Sequence, residues 1–235
     1  TVGVYPVVVH GGGPEINAML SRVGKQSKFI NGLRVTDEET MDIVQMVLCG
    51  KVNKNICSLL GSMGVRAVGL SGKDGGLIRV RKKPPADGVD YGYVGQITSV
   101  DADMIEDLCL EDYVPVIASI GADANGVGYN INADTAAGEI GAAIGAHKLI
   151  FLTDIDGIRR DPADPATLMP EVSVADVERM IEDGTISGGM IPKVRGCVTA
   201  VRRGIKHVNI VRGTIPHAIL VELFTDRGIG TLIKE

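Results

Sequence analysis

The 235-residue sequence has no tryptophan, three phenylalanines and five tyrosines. A core built without large aromatics must be packed by Val, Ile, Ala and Gly, which suits helices lying close on a parallel sheet. Neither charge sign dominates: the formal net charge is -5, which gives no electrostatic reason to expect nucleic acid. The basic runs at Arg79–Lys83 and Arg202–Arg203 are short, lack interleaved aromatics, and read as solvated loops and faces. Four cysteines, Cys49, Cys57, Cys109 and Cys197, show neither CxxC nor Cys/His ligand spacing. That argues for buried free thiols in a reducing compartment and against a disulfide framework or a zinc site. No apolar run reaches membrane-spanning length, and the start has no basic leader pattern. The sequence opens on Thr1, almost directly on a strand, so further sequence ahead of it is expected.

What is present is an alternation of short apolar runs with helical patterns, long enough for one large α/β domain or two small ones. The organising stretch is Tyr129–Gly157. It opens with Asn130, Asn132 and Asp134 at alternate positions, which an extended segment would place on one face. The competing reading is that the asparagines only cap a following helix, expected from about Thr135 to Ile144. Lys148–Thr153 then reads as a buried strand, ending in Asp154 and a turn at Asp156–Gly157. Polar residues just past the carboxyl end of such strands sit where ligands bind in open α/β sheets.

Upstream, the strand Tyr5–His10 is broken at once by Gly11-Gly12-Gly13-Pro14, and a helix is expected over Glu15–Val23. Strand, glycine loop and helix together present backbone N–H groups to an anion. The named motifs fail, however. Ile16 stands where a dinucleotide fingerprint needs its last glycine. Met19, Gln45 and Ala67 stand where Walker A needs its first. A plain tight turn therefore stays open. Arg34 follows an Asn31-Gly32 turn and reads either as a surface arginine or as a carboxylate clamp.

Thr36 with Glu39 reads as a capping box opening a helix to about Met63. Ala67–Leu70 is a buried strand, Arg79–Tyr93 a covering hairpin, Val100–Asp112 a helix and Val114–Ser119 another buried strand. Ser173 with Asp176 caps a helix to Asp183. Lys193, near the start of a helix after Gly188-Gly189, suggests a nearby anion, because helix N-termini normally repel cations. Val208–Val211 reads as a strand and Leu223–Ile233 as a closing strand after a turn.

In order along the chain, HGGGPEI, NGLRVT, VGLSGKDGG, PVIASI, YNINADTAAGE, LTDIDGI and SGGMIPKV resemble the N-acetylglutamate kinases of the amino acid kinase family, most closely the plant and cyanobacterial type. The resemblance spans essentially the whole chain. It implies a three-layer α/β/α sandwich on a mainly parallel sheet. An N-terminal lobe to about residue 130 would bind acetylglutamate and dimerise. A C-terminal lobe from about 131 would hold the nucleotide and an arginine site. The implied reaction transfers the ATP γ-phosphoryl group to the side-chain carboxylate of N-acetyl-L-glutamate. Mg²⁺ accompanies the nucleotide, and no tightly bound cofactor or protein-held metal is implied. Such chemistry is largely positioning and charge neutralisation.

By the same resemblance, Gly12 and Gly13 hold the transferring phosphoryl and the substrate, Arg34 takes the α-carboxylate, and Asn130 and Asn132 bind the substrate. Asp134 orients two catalytic lysines, of which Lys193 is the second. Asp154, Ile155, Asp156, Gly157, Ile158 and Arg159, with Thr185, Ile186 and Ser187, fall where the nucleotide binds. His217, Glu222, Gly228 and Gly230 resemble the arginine-inhibition signature. A homodimer or homohexamer, a PII-type nitrogen-signalling partner, and a chloroplast-stromal or cytoplasmic location are also implied.

One feature departs from the family: its opening Lys-x-Gly-Gly strand, which carries the first catalytic lysine, has no counterpart from Thr1 onward. Loss of one such preorganised charge typically slows a reaction by about 10²–10³. The alternatives are a regulatory homologue that binds arginine or nucleotide without turnover, another kinase of the same family and, more distantly, a dinucleotide-binding dehydrogenase.

Overall fold

The structure is a computed structural model and describes residues 3–85, 88–225 and 228–235. Its contacts divide the chain into two units, Thr1–Ile144 and Gly145–Glu235.

The first unit runs β1 (Val8–His10), α1 (Gly13–Arg22), β2 (Phe29–Ile30), β3 (Leu33–Arg34) and α2 (Glu38–Gln45). A π-helical stretch, Met46–Val52, leads into α3 (Asn53–Ser62). Then come β4 (Ala67–Ser71), β5 (Ile78–Lys82), β6 (Gly95–Val100), α4 (Ala102–Leu110), β7 (Val114–Ala118), β8 (Ile120–Ala122), β9 (Gly128–Asn130) and α5 (Ala133–Ala143). The second unit runs β10 (Lys148–Thr153), β11 (Glu171–Ser173), α6 (Val174–Glu182), α7 (Met190–Arg202), β12 (His207–Arg212), α8 (Ala218–Phe224) and β13 (Thr231–Lys234).

In the first unit β1, β7 and β4 form a parallel sheet in that order. Alternation along the strands turns Val9, Ile117 and Leu70 to one face, where they join a core with Ile105 of α4 and Ile140 of α5. The opposite face carries Ala118, in the cluster of Ile16, Leu20, Val44 and Leu48 from α1, α2 and the π-helical stretch. Helices therefore cover both faces, as the α/β expectation requires. A second sheet, β6-β5-β8-β9, is built mainly from antiparallel pairs. A hairpin lies here, but it is longer than the expected Arg79–Tyr93: its strands are β5 and β6, and the returning strand falls beyond Tyr93; Ala86 and Asp87 of its connection lie outside the described residues.

In the second unit β10-β12-β13-β11 is a mixed sheet. β10 pairs parallel with β12 and β11 parallel with β13, while β12 and β13 run antiparallel. Val208 to Val211 are all buried, so both faces of β12 are covered.

Four local expectations need correction. Thr36 does not cap α2: Asp37 does, its carboxylate accepting from Thr40 N at 2.8 Å, while Thr36 is buried with its hydroxyl on Arg34 O. Asp37 wins because its charged carboxylate meets the first free N–H groups directly, while the Thr36 hydroxyl is already engaged by Arg34 O. The Asn130–Asp134 stretch is not extended throughout. β9 stops at Asn130, Asn132 caps α5 by accepting from Thr135 N at 2.9 Å, and Asp134 already lies in the first helical turn. The long helix after residue 37 contains the π-helical stretch. Finally, Leu223 and Phe224 end a helix, and only Thr231–Lys234 forms the closing strand. By contrast, Ser173 caps α6 as expected, accepting from Asp176 N at 3.0 Å.

Candidate active site

The carboxyl end of β1 opens directly into the glycine loop, and Pro14 at the start of α1 fixes the helical turn there. The first N–H groups of a helix have no intrahelical acceptor, so Gly13 and Glu15 offer donors, while Pro14 between them has none. The two glycines Gly12 and Gly13 differ. A Cβ on Gly12 would lie 2.8 Å from Leu48 Cδ2 and 3.1 Å from Val52 Cγ2, whereas one on Gly13 would meet nothing within 4 Å. Gly12 is packed from behind by the π-helical stretch, and Gly13 faces open space. A Cβ on Gly11 would come within 3.1 Å of Ala133 Cβ, so the start of α5, which carries Asp134, lies against the same loop.

Arg34 is the main charged element of the first unit's site. The Asn31-Gly32 turn, with φ of 51° and 77°, reverses the chain so that β3 runs back along β2. This buries Arg34 to 6% exposure. Its Nη1 donates to Asn17 Oδ1 at 2.8 Å and to Ser27 Oγ, its Nη2 reaches Gly13 O at 3.4 Å, and its guanidinium stacks 4.6 Å from the Phe29 ring. Burial lowers its pKa from the ordinary arginine value. Among the described residues its partners are all neutral; no carboxylate balances it. A buried cation without a counter-charge is costly, and the natural complement is an anionic ligand.

Asn130 joins this group through Thr36: its Nδ2 donates to Thr36 Oγ1 at 3.4 Å, and that hydroxyl donates to Arg34 O at 2.9 Å. The β5–β6 connection closes on the same strand, with Thr36 N donating to Tyr91 O at 3.0 Å and Tyr93 N to Thr36 O at 2.7 Å. The first unit thus gathers Gly12, Gly13, Arg34 and Asn130, with Asp134 on α5 beside Gly11. Asn132 uses its Oδ1 to cap α5.

In the second unit β10 and β12 run parallel, so Asp154–Arg159 and Arg212 share one end of the sheet. Asp156 is gripped by Arg159 Nη2 at 2.6 Å and Arg212 Nη1 at 2.8 Å, and these two guanidinium groups hold its carboxyl below the usual range. Arg212 belongs to no motif; its only signal in the sequence is a charge closing an apolar strand. Ile158 is buried, and its N–H donates to Thr231 Oγ1 at 2.8 Å. In the α6–α7 connection Thr185 N donates to Asp183 Oδ1 at 2.9 Å, while Ile186 is buried. Lys193 lies half-buried in the first turns of α7.

Glu222 is 6% exposed and central to a separate cluster. It accepts from Asn209 Nδ2 at 2.6 Å, Ile229 N at 2.9 Å and Gly230 N at 3.3 Å, with Lys148 Nζ 3.9 Å away. Gly228, with φ of 58°, has no room for a Cβ beside that carboxylate. His217 is exposed and left-handed at the start of α8.

Among the described residues no group of three or more His, Cys, Asp or Glu side chains could hold a metal ion, and no helix is long and apolar enough to cross a membrane.

The amino acid kinase family model matches residues 1–212. The chain belongs to the amino acid kinase family. It is 53% identical to the acetylglutamate kinase of Thermosynechococcus vestitus over 99% of this chain and 78% of that protein. It is 51% identical to that of Heliobacterium modesticaldum over 99% of this chain and 81% of that protein. Among solved structures, smu.665 from Streptococcus mutans superposes with a TM-score of 0.82 at 30% identity, covering 97% of this chain and 85% of that one. Family membership makes the chain an α/β kinase that uses ATP as phosphoryl donor. The dehydrogenase alternative falls with it.

Proposed function

We propose that the chain phosphorylates the side-chain carboxylate of N-acetyl-L-glutamate with ATP, giving N-acetyl-L-glutamyl 5-phosphate and ADP. The observation that carries this reading is Arg34: a buried guanidinium, balanced only by neutral groups, beside a glycine loop. The high identity to curated acetylglutamate kinases supports it. Arg34 takes the α-carboxylate, and the Asn130 amide binds the same substrate. A side-chain carboxylate oxygen then attacks the γ-phosphorus while the bond to ADP breaks. The Gly12 and Gly13 N–H groups hold the transferring phosphoryl, and Asp134 and Lys193 supply placed charge as it moves. Asp154–Arg159 and Thr185–Ser187 hold the nucleotide. Mg²⁺, bound to the nucleotide's phosphates, neutralises their charge.

Arginine is read as a feedback inhibitor at His217, Glu222, Gly228 and Gly230, where a buried carboxylate beside a glycine turn suits a guanidinium. The same reading includes assembly as a homodimer or homohexamer, a PII-type partner, and a stromal or cytoplasmic location. An ATP-dependent assay with N-acetylglutamate, glutamate, aspartate, carbamate and UMP as acceptors tests it. N-acetylglutamate is expected to lead by at least about 10², because a site built for a buried polar ligand leaves groups unpaired with the others. Preference for another acceptor overturns the assignment, and nucleotide binding without turnover returns the regulatory alternative.

A further inference from the structure

His10 is the last residue of β1 and directly precedes the glycine loop; it is 8% exposed. Its Nδ1 lies 2.9 Å from Gly11 O and its Nε2 lies 3.1 Å from Nδ2 of Asn53. Asn53, the first residue of α3 after the π-helical stretch, is 1% exposed. Its Nδ2 also faces Val116 O at 2.8 Å and Leu70 O at 3.3 Å. One amide thus reaches all three strands of the parallel sheet: β1 through His10, β4 through Leu70 and β7 through Val116.

The network fixes the imidazole's proton. Two carbonyl oxygens face the Asn53 amide, so its NH₂ and not its oxygen must point toward the strands. That NH₂ has two hydrogens for three acceptors, but toward His10 it offers nothing to which an Nε2–H could donate, so Nε2 presents its lone pair. The proton lies on Nδ1 and is donated to Gly11 O. Burial holds the imidazole's pKa below its ordinary value, in keeping with a neutral ring.

Gly11 O and Gly12 N–H belong to one planar peptide unit and point in opposite directions. A hydrogen bond that fixes the carbonyl therefore fixes the direction of the N–H. Three consecutive glycines would otherwise leave that direction loosely set. On its other side Gly12 is backed by Leu48 and Val52.

We propose that His10, held in one tautomer by Asn53, is a positioning residue that aims the Gly12 N–H at the transferring phosphoryl group. This rests on the reading of the glycine loop as the phosphoryl site.

The test uses His10→Leu, which fills the space without a donor, and His10→Asn, whose amide nitrogen takes the place of Nδ1. In the N-acetylglutamate phosphorylation assay His10→Leu is expected to lower kcat about 10–100-fold, as for other lost orienting groups. The KM for N-acetylglutamate should stay within about threefold, since Arg34 is untouched. His10→Asn should recover most of the loss. Nitrogen chemical shifts of the imidazole in the unsubstituted protein should show the proton on Nδ1, a readout that does not depend on any variant folding. A proton on Nε2, full kcat in His10→Leu, or no rescue in His10→Asn at equal thermal stability overturns the proposal. Gly13→Ala separates the two levels. If it leaves kcat untouched, the phosphoryl-loop reading itself fails; if it lowers kcat, the His10 pair alone decides.

Discussion

The Asn209 amide donates to Oε1 of Glu222 across 2.6 Å, while its own Oδ1 is buried with no partner. The acceptor geometry of Glu222 matters to the fold because Ile229 N and Gly230 N close on its other oxygen. Glu222→Gln can keep an oxygen toward those two N–H groups. Its new NH₂ then faces Asn209, which can turn its amide over and satisfy the orphan oxygen. We expect Glu222→Gln to lose less than about 1 kcal/mol and Glu222→Ala about 2–4 kcal/mol, because alanine leaves buried donors unpaired. Urea unfolding measures both. Equal losses would mean that the charge, and not the acceptor pattern, holds the turn. If Glu222→Gln folds, it also becomes the variant that tests the proposed arginine inhibition, which it should abolish.

Arg34 should show a trade between stability and binding. Among the described residues no carboxylate balances its buried charge, so Arg34→Met removes a desolvated cation and retains the apolar stem over Phe29. Without substrate the variant should melt no lower than the parent. The KM for N-acetylglutamate should rise by about 10² or more, as expected when one partner of a buried charge pair is truncated. A drop in thermal stability with KM unchanged would make Arg34 an ordinary structural arginine.

Gly12 and Gly13 allow packing and ligand roles to be separated. Gly12→Ala drives a Cβ into Leu48 and Val52, so it should cost about 1–3 kcal/mol through overpacking. Gly13→Ala enters open space, but it precedes Pro14, which disfavours helical backbone for a residue with a Cβ. Its stability loss should stay below that of Gly12→Ala while turnover falls. Turnover unchanged in Gly13→Ala would remove that position from the site.

These residues also show what the sequence could convey. Lys148–Thr153 is a strand at the bounds its apolar run suggested, though of its residues only Phe151 is buried, and Ser173 caps α6, because both features are local. Arg34 stayed ambiguous in sequence: its burial depends on β2 folding back and on Asn17 and Ser27, whose oxygens look like ordinary surface polarity. Asn132 was read with Asn130 as part of a ligand face because alternation ignores where a strand ends. The His10–Asn53 and Asp156–Arg212 contacts join residues 43 and 56 positions apart, a separation no pattern rule reaches. The candidate site's motifs are therefore legible in sequence, whereas the contacts around them emerge only from packing.

Asp37 carries the clearest pH signature. Lys25 beside it, with the Thr40 side chain and N–H, lowers its carboxyl pKa from 3.8 to about 2. A depressed acid contributes stability that is present above its unfolded value and is lost as pH falls through the folded one. Asp37→Asn keeps a good helix cap but gives up the pairing with Lys25, now 2.7 Å away. The parent should therefore exceed the variant by a constant margin above about pH 4, and the margin should close as pH drops toward 2. Because the Asp37 side chain is 61% exposed, solvent screens the pair, and the margin should stay below about 1 kcal/mol. It should also shrink in high salt. Unfolding midpoints of the two proteins across that range measure it. A margin that ignores both pH and salt would assign the contribution of Asp37 to its cap alone, with Lys25 a bystander.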